Sequence, residues 1–121
     1  MIRWIHPRHG WVKLNIDRAS KGNSGAAGGR GLIRGALGEV YGSFSINCGV
    51  CSSVKGALMA VAKGLHMAWL GGHRRVILSI DSEIVRRWLM EDETSTSPYF
   101  HLIRRCLAYI SRVVVFMLKF A

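Results

Sequence analysis

Two aspartates carry the most chemical information in this sequence. Asp17 closes a run in which Val12, Leu14 and Ile16 alternate with Lys13, Asn15 and Asp17, and Asp81 follows the short apolar run from Val76 to Ile80. Both runs have the character of strands, so each carboxylate falls at a strand's C-terminal end. In neighbouring strands of one sheet the two would repel unless a cation neutralised them, and an oxygen-rich site of that kind suits Mg2+ or Mn2+. Such a centre can orient water and stabilise charge in phosphodiester hydrolysis. The competing reading of either aspartate is a turn residue or a helix cap. Cys48 and Cys51 form a CxxC, but zinc wants four ligands and neither a second pair nor a spaced histidine pair accompanies it, so these cysteines are read as structural. Gly28, Gly29 and Gly31 lack the GK[ST] or GxGxxG context of a phosphate loop and are read as easing the start of a strand.

The elements that must position these groups follow from periodicity. A strand from Trp11 to Asp17 leads into a Gly-, Ala- and Ser-rich turn over 18–31, a second strand around Gly31 to Arg34, a hairpin turn from Gly35 to Gly38 and a third strand from Glu39 to Ser45. Three strands in so short a span imply an antiparallel meander. From Ser53 to Leu70, apolar residues recur at spacings of three and four, which predicts an amphipathic helix stopped by Gly71 and Gly72. Val76 to Ile80 is then a strand joined through that helix to a parallel neighbour, the mark of an α/β layer fold. Ser82 caps a helix from Glu83 to Met90, Thr94 to Pro98 reads as a loop, Tyr99 to Ser111 as a further helix, and the β-branched start of Val113 to Phe120 as a last strand.

Composition narrows the partners. The 121 residues hold 17 basic and 7 acidic side chains, a formal net charge of +10, and half are hydrophobic. A single domain with a real core is expected, together with a polyanionic partner. No apolar run is long enough to span a membrane, no secretory signal opens the chain, and three cysteines are too few for a disulfide scaffold, so a reduced, intracellular compartment is expected. Nuclear, cytoplasmic and organellar residence are not separated.

The segment GWVKLNIDRASKGNSGAAGGRGLIR, residues 10–34, resembles the opening of plant RNase H-like domains related to type 1 ribonuclease H and found in retroelement-derived genes. CSSVKGALMAVAKGLHMAWLGGHRRVILSIDSE (51–83) and SPYFHLIRRCLAYISR (97–112) resemble its continuation in order. The resemblance implies a mixed five-stranded sheet, three antiparallel strands and then parallel additions, flanked by helices. It also implies cleavage of the RNA strand of an RNA–DNA hybrid with divalent metals held by an acidic cluster. On this resemblance Asp17 and Asp81 are the catalytic carboxylates and metal ligands, while Arg18, Ser20, Lys21 and Asn23, in the segment matching the family's D-G-x-S and S-K-G-N-P-G motifs, are nucleic-acid contacts. Residues 1–10 are expected to be an N-terminal extension and 11–121 the domain, incomplete at its C-terminus.

The departures from the family pattern have physical consequences. The glutamate of the first helix is replaced by Ala57, and the fourth carboxylate, on a C-terminal helix, has no counterpart in the sequence. Two carboxylates against two divalent cations leave half of the charge unbalanced, so a single weak Mg2+ or Mn2+ site at most and impaired hydrolysis are expected. Glu83 is read as an ordinary first-turn acid rather than a replacement ligand. Arg18, where the family has glycine, can meet a phosphate or pair with Asp17. The alternatives to a hybrid ribonuclease are a noncatalytic nucleic-acid-binding remnant and a structural or unstable fragment. A monomer is the default, with association through a sheet edge open if the last strand fails to form.

Overall fold

The computed structural model describes residues 9–20, 26–50, 52–91 and 97–117. Within these residues, five strands and three helices follow in the order β1 (Val12–Ser20), β2 (Ala26–Arg34), β3 (Val40–Val50), α1 (Ser53–Leu70), β4 (Arg75–Ile80), α2 (Glu83–Glu91), α3 (Phe100–Ile110) and β5 (Val114–Met117). The strands form one sheet in the order β3-β2-β1-β4-β5, antiparallel across β3, β2 and β1 and parallel from β1 to β4 and from β4 to β5. This is the mixed sheet expected from the sequence. Because β5 pairs with β4 from Arg75↔Val114 to Leu78↔Met117, β4 is not left as an edge.

Alternation explains which way each strand faces. Val12, Leu14 and Ile16 of β1, Ile33 of β2 and Val76, Leu78 and Ile80 of β4 are buried together with Leu58, Val61 and Leu65 of α1 and Ile103 of α3. Ser52 caps α1 by accepting a hydrogen bond from the Lys55 amide at 3.1 Å, and Gly72, at φ +83°, lets the chain leave the helix in a conformation that other residues resist. The predicted bounds of α1 are those observed.

The run over 18–31 is corrected. It is not one long turn: β1 continues to Ser20 and β2 already begins at Ala26, the two pairing as far as Ser20↔Ala27. Its glycines do more than start a strand. A Cβ on Gly29 would lie 2.6 Å from the Ala60 Cβ and 3.0 Å from the Gly56 carbonyl oxygen, and one on Gly31 would enter the Phe44 ring. Gly56, Ala60, Gly64 and Ala68, four residues apart, form the matching small-residue row on α1. A Cβ on Gly64 would meet Leu14 at 2.7 Å. Backbone approach across this seam seats α1 directly on β1 and β2.

Cys106 of α3 is fully buried and its thiol donates to the Leu58 carbonyl at 3.4 Å. Burial pushes the thiol pKa up to about 12, only partly offset by Arg105 and backbone hydrogen bonds. The thiolate is therefore scarce at any ordinary pH. Cys106 is expected to resist iodoacetamide at pH 8 in the native protein and to label fully in denaturant; peptide mass mapping that finds equal labelling in both would overturn this packing.

Candidate functional site

The last Cα pair between β1 and β4 is Ile16↔Ile80, so Asp17, still on β1, and Asp81, the first residue past β4, come next along two adjacent parallel strands. Alternation along β1 sends the Asp17 side chain to the face opposite that of Leu14 and Ile16. That face is opposite α1, since Leu14 and Ile16 point into the core. Asp17 lies three residues before the end of β1 rather than at its terminus, whereas Asp81 directly follows β4. Capping of α2 falls to Ser82, whose Oγ accepts from the Val85 amide at 3.4 Å.

Asp17 opens on a groove of about 570 Å³ lined by Asn15, Arg30, Leu32, Ser43 and Ser45. Arg30, its antiparallel partner on β2, places Nη2 3.7 Å from the Asp17 Oδ2, both side chains about two-thirds exposed. Sequence reading missed this contact because Arg30 meets Asp17 only through the β1–β2 register. An exposed pair of this kind adds little to stability but holds a positive charge where a cation would have to approach. Further back on the same face, burial lowers the pKa of the Lys13 ammonium from its ordinary value.

Ala57 is wholly enclosed in the second turn of α1, the part of the helix that lies over Gly28 and Gly29. It supplies no ligand. Glu83 is engaged within α2, its carboxylate receiving both Nε (3.1 Å) and Nη2 of Arg86. Among the described residues, no group of three or more histidine, cysteine or acidic side chains is placed to hold a metal ion. Among the described residues, two carboxylates with an arginine on one of them do not make up a two-metal set.

The other sequence candidates separate. Arg18 and Ser20 lie on β1 beyond Asp17, and Lys21 and Asn23 fall outside the described residues. Cys48 is disulfide-bonded, and Cys51 lies outside the described residues. His66 stacks against Tyr109 at 5.4 Å, His73 against Tyr41 at 4.6 Å and His101 against Phe100 at 5.5 Å, which is packing rather than ligation. No helix among the described residues is long and apolar enough to cross a membrane.

Comparison with known proteins places this arrangement. Residues 15–121 match the family described as reverse transcriptase-like. An Arabidopsis thaliana protein named "Putative ribonuclease H protein" is 38% identical over 112 residues, 93% of this chain, which spans 18% of that protein's length. The N-terminal RNase H domain of a Mycobacterium tuberculosis protein superposes with a TM-score of 0.79 at 19% identity, covering 92% of this chain and 88% of that one. LC11-RNase H1, from a compost metagenome and crystallised with an RNA/DNA hybrid, gives a TM-score of 0.69 at 18% identity, covering 89% and 85%. The sheet order and these matches agree with the resemblance read from the sequence: the chain belongs to the reverse transcriptase-like family, as an RNase H-like domain related to the ribonuclease H of retroelement reverse transcriptases.

Proposed function

We propose that this domain engages RNA–DNA hybrid or a related duplex and that its metal-dependent hydrolysis of the RNA strand is impaired. The observation that carries the reading is the chemistry around Asp17: the helix position that matches the family glutamate is the enclosed Ala57, and Arg30 lies against the Asp17 carboxylate. Asp17 and Asp81 are the residues left to hold a single, weakly bound Mg2+ or Mn2+, which when bound would polarise a phosphate oxygen or a water. Arg18, Ser20, Lys21 and Asn23 are the proposed backbone contacts, in keeping with recognition of A-like duplexes through shape and sugar–phosphate groups. The net charge of +10 and the hybrid-bound relative support the choice of partner. Residues 11–121 form the proposed domain, acting inside the cell.

The test pairs binding with cleavage. Fluorescence anisotropy of a labelled RNA–DNA hybrid is expected to show binding by the native chain and by Asp17→Asn alike, with cleavage in Mg2+ or Mn2+ no faster for the native chain than for the variant. Cleavage that Asp17→Asn abolishes would show that two carboxylates suffice and overturn the impairment. A folded chain that binds no duplex would overturn the partner.

A further inference from the structure

The end of the sheet remote from the carboxylates holds an arrangement that hydrolysis does not use. There β4 begins and α1 ends, joined through residues 71–74. Asp81 lies six steps along the chain from Arg75, which at about 3.3 Å per residue puts roughly 20 Å between the two ends. Trp69, in the last turn of α1, is covered by Arg74, whose guanidinium carbon lies 3.5 Å from the ring centroid, and Arg112 approaches the same ring at 6.0 Å. Arg74 is fixed further by donating from Nη1 to the carbonyls of Trp69 (3.0 Å) and His73 (3.2 Å). The Val114 amide donates to the Arg74 carbonyl at 2.8 Å, tying the segment that bears Arg112 alongside.

Arginines from two distant segments thus converge on one indole, and the exposed Arg75 begins β4 at this same end, its Nη1 3.7 Å from where a Cβ on Gly10 would lie. Burial, and then the neighbouring Arg74, lower the His73 pKa, so this imidazole adds no positive charge near neutrality. The carboxylate at this end is Glu39 in the β2–β3 hairpin, whose Oε1 accepts from the Leu37 amide. Among the described residues, no ion pair joins Arg74, Arg75 or Arg112 to a carboxylate. The two guanidinium groups held around one ring repel unless anions come between them. With Arg74 stacked on the indole, this end offers N–H donors rather than an apolar pocket for a peptide side chain. Planar N–H donors presented outward match phosphate oxygens.

We infer that the end bearing Arg74, Arg75 and Arg112 is a second, metal-independent contact for the sugar–phosphate backbone of duplex nucleic acid, separate from the carboxylate end. It goes beyond the proposed hydrolase lineage and needs neither a metal nor a cut strand. The experiment is anisotropy with a fluorescein-labelled 20-base-pair DNA duplex in EDTA across a NaCl series. It compares the native chain with Arg75→Gln/Arg112→Gln and with Arg104→Gln/Arg105→Gln, which removes the same charge from α3; Arg74 is left intact because it also caps α1. Each phosphate contact contributes about 0.9 to the slope of log affinity against log salt, so the first pair is expected to lower that slope by about 1.8 and affinity roughly 10- to 100-fold at 50 mM NaCl. The α3 pair is expected to leave the slope nearly unchanged. Equal losses from both pairs, or an unchanged slope in the first, would overturn this contact alone, while a native chain that binds no duplex overturns it together with the proposed partner. Unchanged circular dichroism and urea midpoints keep misfolding out of the comparison.

Discussion

Replacing Ala57 by Glu and Arg30 by Ala together is expected to raise Mn2+-dependent cleavage of an RNA–DNA hybrid by roughly 100-fold over the native chain, since a well-held metal is worth several kcal/mol and each 1.4 kcal/mol is tenfold in rate. The two changes act on different deficits. Ala57→Glu returns negative charge from α1, and Arg30→Ala removes the guanidinium 3.7 Å from the Asp17 carboxylate. Either substitution alone is expected to yield much less. Position 57 is fully enclosed, so the new side chain must carry its carboxylate out toward the end of β1. Should it stay inside, desolvation would raise its pKa and lower stability instead. Activity and the melting curve therefore separate the outcomes: a gain that Asp81→Asn abolishes supports the reading, whereas a lower Tm with no gain removes position 57 from the site.

Gly29→Val is expected to destabilise the fold by about 3 kcal/mol, a fall in Tm of roughly 10 °C, because overpacking at a rigid contact finds little room to relax. The Cβ would sit 2.6 Å from the Ala60 Cβ and 3.0 Å from the Gly56 carbonyl oxygen, atoms that cannot rotate away. Only separation of α1 from β2 would relieve it. Gly49→Ala is the useful contrast: its φ of +70° disfavours alanine, but nothing lies within 4 Å of the added Cβ, so its cost is expected near 1 kcal/mol. Urea midpoints that fall equally for both would show that backbone conformation, not the helix–sheet seam, sets the cost.

These two sites also show where the sequence could be read and where it could not. The span of α1 was legible because Ala57, Leu58, Val61, Ala62 and Leu65 repeat at helical spacing and glycines follow; the strand-end aspartates were legible because alternating or apolar runs lead to them. The beginning of β2 was not. A run of glycine and alanine has no side-chain pattern, and its meaning lies in what fills the vacant side-chain positions, here Ala60, Phe44 and the backbone of α1. Arg30 escaped for a related reason: whether it meets Asp17 depends on cross-strand register, to which residues far along the chain contribute. The replacement at Ala57 was visible from the family pattern, while its enclosure, which decides how hard the site is to restore, emerges only from tertiary packing.

The central place of β1 sets the order in which the sheet can be assembled. Its antiparallel neighbour β2 follows at once, but on its other side 64 residues separate Val12 from its partner Val76. At about 5–20 residues per second, a nascent chain carries β1 for about 3–13 s before its partner on β4 is made. Through that interval the row of amides and carbonyls along β1 has no native partner, and α1, synthesised in between, can cover the apolar face of β1 but not its edge. The vulnerable moment in this protein's life is therefore its synthesis, and a chaperone that shields a strand edge for some seconds is the assistance its topology calls for.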